Sequence, residues 1–96
     1  MANITETMMA PGKSNSDIFE AAKVALPKAG FEIWKLRDIA WMVLAKGKVN
    51  DVDADANVMA RPGGSVAITV GAEGVSEADL RAAAQKIIAA LKEKIG

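Results

Sequence analysis

Hydrophobic and polar positions recur along this chain with two different periods, and the clearest run comes last. From Val75 to Ile95, Leu80, Ala84, Ile87, Leu91 and Ile95 recur at steps of three and four, with Ala83 and Ile88 widening the stripe. This spacing predicts an amphipathic helix with one buried face. Ser76 stands where the N-cap belongs, Asp79 three residues on completes a capping box, and Val75 with Leu80 has the spacing of a hydrophobic staple. Glu77 and Asp79 lie near the positive end of the helix dipole, and Lys92 and Lys94 near the negative end. Glu77 and Arg81 have the spacing of an outward-facing ion pair.

A second helix is predicted from Asn15 to Ala29. Ser14 or Ser16 caps it, Asp17 and Glu20 occupy the first turn, and Ile18, Phe19, Ala22, Ala25, Leu26 and Ala29 form the apolar face. Pro27 is expected to kink or shorten the last turn, and Gly30 suits the position just past the helix end.

Elsewhere the pattern has period two. Asn3 to Met9 alternates, with Ile4, Glu6 and Met8 on one side, and reads as an edge strand. Val52 to Arg61 places Val52, Ala54, Ala56, Val58 and Ala60 inward, and Ser65 to Val70 places Val66, Ile68 and Val70 inward. A two- or four-residue loop between these strands would set Ile68 against Asn57. A three-residue loop, Pro62-Gly63-Gly64, sets Val58 against Ile68 and Ala60 against Val66. Proline starts a type I turn and the last glycine takes the left-handed position, so three residues are expected.

Phe31 to Lys48 reads as two strands around a turn at Arg37 and Asp38, and the chain turns again between Gly47 and Asp51. With an even loop, Leu36 faces Ile39 and Trp34 faces Trp41. The tryptophans then form a cross-strand pair on one face with Leu36, Ile39 and Val43, and Phe31, Ile33, Met42 and Leu44 occupy the other. An odd loop sends the tryptophans to opposite faces.

The predicted order is β-α-β-β-β-β-α. It describes an α+β two-layer sandwich: a four- or five-stranded antiparallel meander with two helices packed on one face. The arrangement resembles small helix-grip domains, in which a curved antiparallel sheet wraps a long C-terminal helix. The resemblance spans the whole chain and rests on no motif.

Composition narrows the chemistry. With 96 residues the chain has room for a single α+β domain, residues 1–96, with one core. Lys and Arg together number 12, as do Asp and Glu, so no basic excess is present to neutralise phosphates and no nucleic-acid partner is expected. Cysteine is absent, which excludes disulfides and thiol chemistry and fits a cytoplasmic protein. Histidine is absent too, which removes the commonest general base and metal ligand. No run approaches the length of a membrane span, and Met1 to Met9 mixes Asn, Thr and Glu among apolar residues unlike a signal peptide.

Three local patterns hint at a site. Gly12-Lys13-Ser14 matches the end of a phosphate-binding loop, but Thr7 stands where that motif needs glycine, so a turn feeding a helix cap is the expected role. Asp51, Asp53 and Asp55 evoke a calcium loop, but Ala56 and Pro62 stand where it needs Gly and Glu. Their alternation with Val52 and Ala54 marks the solvated face of a strand. Lys35, Arg37, Lys46 and Lys48 together would make a basic patch on the hairpin, with solvated charge the plainer reading.

The tryptophan hairpin asks for more than solubility. It is apolar on both faces, and two helices on one side of a sheet cover only one. The expected function is therefore a small non-enzymatic binding or interaction domain without cofactor or metal. Trp34, Trp41, Leu36, Ile39 and Val43 would form its contact surface for a second copy, another protein or a small apolar ligand. The competing reading is a carboxylate-based divalent-cation-binding protein or small enzyme.

Overall fold

The computed structural model describes residues 2–95. Its elements are β1 (Ala2–Met9), α1 (Asn15–Lys28), β2 (Glu32–Arg37), a 3-10 turn (Asp38–Ala40), β3 (Met42–Val49), β4 (Val52–Arg61), β5 (Ser65–Ala72) and α2 (Glu77–Ile95). The strands form one antiparallel sheet in the order β1-β5-β4-β3-β2. Strands β2 to β5 are a meander, and β1 adds at the β5 side, so β1 and β2 are the two edges. Both helices lie on one face: α2 against β1 and β5, α1 against β2, β3 and β4. The α+β sandwich expected from the periodicities is the fold.

Each helix begins where its cap dictates. The Ser14 Oγ accepts from the Asp17 N–H at 3.1 Å while the Ser14 N–H donates to Asp17 Oδ2 at 3.3 Å, so Ser14, not Ser16, caps α1. Gly12, at φ +79°, and Ser14 thus serve a turn and a cap. Pro27 sits inside α1 without ending it. The Ala29 N–H still reaches the Ala25 carbonyl at 3.0 Å, because proline deletes only its own donor. In α2 the Asp79 N–H donates to Ser76 Oγ at 3.2 Å, as the capping pattern requires.

Arg81 does not pair with Glu77. Its Nη1 lies 2.6 Å from Glu6 Oε1 across the sheet edge. Glu6 shares the inward side of β1 with buried Ile4 and Met8, and the guanidinium meets it where α2 passes over that edge. A second tie joins the helix ends, Lys28 Nζ to Glu93 Oε1 at 2.6 Å, and this hydrogen bond and charge hold the Glu93 carboxyl below its usual range.

Strand register follows the alternation. Val58 pairs with Ile68 and Ala60 with Val66 across the loop Pro62-Gly63-Gly64, the three-residue connection that the inward pattern demands. Both glycines, rather than the last alone, have positive φ, at +85° and +78°. The β3–β4 connection is tighter than its sequence suggested. Val49 pairs with Val52, and Asn50 and Asp51 form a two-residue turn with φ of +52° and +65°. Gly47 is consequently not part of the turn but lies within β3. A Cβ there would sit 2.7 Å from the Phe31 ring, so the missing side chain seats Phe31 in the core.

Between sheet and helices lies one apolar cluster, with Ile18, Leu26, Val43, Ile68, Leu80, Ile87 and Leu91 among its fully buried members. No buried side-chain polar atom among the described residues lacks a partner.

Candidate functional site

The hairpin that carries both tryptophans departs most from its expected geometry. Leu36 pairs with Val43 and Arg37 with Met42, so the connection is a four-residue loop, residues 38–41. Trp41 lies in that loop, at φ +52°, and not in a strand. The register then shifts between Ile33 and Lys35, a bulge that leaves Trp34 without a direct partner. The expected cross-strand tryptophan pair is therefore not formed. A bulge changes which face a residue points to without changing loop parity, which is why parity alone misplaced Trp34.

The two indoles separate. Trp41 turns toward the helices and packs edge-on against Phe19 of α1, with ring centroids 5.8 Å apart and planes at 77°. Trp34 is 53% exposed on the side of the sheet away from the helices, where Lys46 Nζ sits 5.0 Å from its ring centroid. The remaining members of the expected surface divide as well. Val43 is fully buried and belongs to the core, whereas Leu36 is 45% exposed on the edge strand and Ile39 is 99% exposed in the 3-10 turn. Ile39 does not face Leu36 across strands. Of the opposite set, Phe31 is buried and Ile33 packs against the core, while Met42 and Leu44 are half-buried on the outer face. What the structure leaves exposed is narrower: Trp34, Leu36 and Ile39, on and just beyond the edge strand β2, with Leu36 on the helix side beside its partner Val43 and Trp34 on the opposite side.

Of the acidic series, Asp53 and Asp55 lie on the outer face of β4, a central strand, and Asp51 lies in the turn before it. Lys48 and Lys46 stand directly opposite Asp53 and Asp55 in the register, with Lys48 Nζ 3.7 Å from Asp53 Oδ1. These lysines thus belong to a mixed-charge ladder, and Lys35 and Arg37 stand on the same outer face opposite Leu44 and Met42. Reading the strands singly could not reveal the pairing, because it depends on the two-residue turn at Asn50-Asp51. No group of three acidic side chains that could hold a metal ion occurs among the described residues. A cleft of about 560 Å³ opens along this ladder, lined by Lys46, Asp53, Asp55 and Glu73 over Gly71 and Ala72. Its polar groups are all solvated charges, with no buried polar group aimed into it. No described helix is long and apolar enough to cross a membrane. No protein-family model matches the chain, and no curated protein matches it.

The separation of the tryptophans sets an expected result. Trp41→Ala should lower the unfolding free energy by about 1–3 kcal/mol, less than full burial would cost, because the indole is half-buried but loses its contact with Phe19. Trp34→Ala should change it by less than about 1 kcal/mol. Urea denaturation of the two variants checks the order, and equal losses would contradict it.

Proposed function

We propose that this chain is a small non-enzymatic interaction module whose contact surface is the outer end of the β2–β3 hairpin. The observation that carries this reading is the concentration of exposed apolar side chains there. Five large hydrophobic residues are exposed among those described, and Trp34, Leu36 and Ile39 fall within six consecutive positions; Met9 and Val24 lie elsewhere. Isolated exposed apolar residues need no explanation, but three of them on both sides and at the tip of one edge hairpin offer apolar contacts to a partner that wraps this edge. The main chain of β2 supports the same surface, because one side of this strand has no neighbour in the sheet. The bulge at Trp34 interrupts that edge and disfavours unselective strand addition, so recognition rests on the side chains. Tryptophan is enriched among the residues that dominate binding energy. The balanced net charge favours a protein partner over a nucleic acid.

Ile39→Asp tests the reading. Ile39 touches almost nothing in the folded chain, so the variant should keep its stability within about 0.5 kcal/mol. It should lose the proteins that co-purify with the native chain. A native chain and variant that retain the same proteins would refute the assignment.

A further inference from the structure

The sheet face opposite the helices, which Trp34 also borders, has an internal order of its own. On this outer face the paired rows of β3 and β4 read Met42 with Met59, Leu44 with Asn57, Lys46 with Asp55 and Lys48 with Asp53. One strand supplies the cations, its neighbour supplies the anions, and the apolar row lies at the far end. Such a face is complementary to itself under one kind of symmetry. A two-fold axis running parallel to the strands, between β3 and β4, turns the face over and exchanges the two strands at constant height. Lys46 of one copy then meets Asp55 of the other, Lys48 meets Asp53, and Met42 meets Met59. An axis between β4 and β5 brings Asp55 over Gly71, and an axis across the strands brings Lys46 over Met42. Neither matches charge with charge.

We propose that this outer face is a homodimer interface, with the second copy seated by the β3–β4 two-fold. The interface is isologous, as closed dimers require. The axis sets β3 over β4 and β2 over β5 and leaves β1 outside the overlap, so four strands at about 4.8 Å spacing and about 8 residues at 3.3 Å rise present roughly 500 Å² per copy. The pair therefore buries on the order of 1,000 Å², the area at which a specific but weak interface begins. The half-buried side chains of Met42, Leu44 and Met59 form its apolar part. The charged rows lie toward the β3–β4 turn, at one end of the face, where ion pairs stay hydrated at the rim and select the register. Trp34, beside Lys46, belongs to this face as well as to the hairpin surface, whereas Ile39 belongs to the hairpin tip alone. Variants at Ile39 and at the charged rows therefore let each reading fail alone.

Sedimentation from about 1 µM to about 1 mM is the test, over the range in which a modest dimer dissociates. The native chain should pass from monomer to dimer, and the Lys46→Glu, Lys48→Glu double variant should dissociate about tenfold more readily or worse. Adding Asp53→Lys and Asp55→Lys restores opposite signs in every contact and should restore the dimer. Ile39→Asp should leave the dimer intact, which separates this face from the hairpin tip. If circular dichroism shows the double reversal unfolded, Lys46→Gln with Lys48→Gln replaces it, with the same direction expected. A native chain that stays monomeric throughout, leaving the face to solvent or another protein, overturns the proposal. So does a folded double variant that dimerises as well as the native chain, or a folded fourfold variant that remains monomeric.

Discussion

Replacing Leu91 with alanine is expected to lower the unfolding free energy by about 2–5 kcal/mol, a large part of what a domain this size possesses. Leu91 has no exposed surface, and it continues the α2 stripe through Leu80, Ala84 and Ile87, all of them fully buried. Alanine keeps the helix but leaves a cavity beside side chains that the sheet and α1 hold in place. The loss therefore includes missing contacts as well as missing transfer energy. Ile95 belongs to the same stripe but is only half-buried at the helix end, so Ile95→Ala should cost clearly less. Urea unfolding with unchanged slope measures both. A loss below about 1 kcal/mol for Leu91→Ala would mean that α2 is peripheral to the core.

Much of this architecture was legible because several local signals agree at the same residues. In α2 the cap, the staple and the apolar stripe all point to one helix, and its start at Glu77 follows Ser76 directly. The β4–β5 register was legible for a different reason. Slipping the pair by one residue would turn Ile68 toward solvent, so the alternation itself excludes even loops. The place of β1 beside β5 was not readable beyond its being an edge, because strand order depends on how α1 crosses the helix face. Arg81 shows the limit of local reasoning about charge. Glu77 is near in sequence, but Glu6 is near in space, and only the packing of α2 over β1 makes that visible.

The candidate site was less legible, and the reason is local. The β2–β3 hairpin is apolar on alternate positions of both faces, so no buried side sets its register by exclusion. The 3-10 turn and the bulge then reassign individual residues: Trp41 to Phe19, Trp34 to the outer face, Val43 to the core. Trp34, Leu36 and Ile39 are exposed, but the bulge puts Trp34 and Leu36 on opposite sides of the sheet, where the assumed pairing had set them on one. The charge ladder on the outer face had a usable signal in the sequence. Asn50-Asp51 suits a two-residue turn, and that turn places Lys48 opposite Asp53.

Gly64→Ala is the expected large effect that depends on backbone instead of core volume. At φ +78° an alanine bears the left-handed penalty, about 1–2 kcal/mol. Its Cβ would also lie 2.6 Å from the Ala10 carbonyl oxygen and 3.1 Å from the carbonyl carbon, and backbone atoms cannot swing aside as a flexible side chain can. The chain segment after β1 must therefore retreat, and the hydrogen bond from the Ala10 N–H to the Gly64 carbonyl, 2.6 Å long, stretches or breaks. Together these terms predict a loss of about 2–4 kcal/mol. Gly63→Ala supplies the control, since φ is +85° there but nothing lies within 4 Å of the added carbon, so only the backbone penalty applies. The difference between the two variants isolates the clash with Ala10. Hydrogen exchange localises it: the Ala10 amide should lose protection in Gly64→Ala and keep it in Gly63→Ala. Equal losses of stability in the two variants, with Ala10 protected in both, would show that the end of β1 is not anchored on this turn.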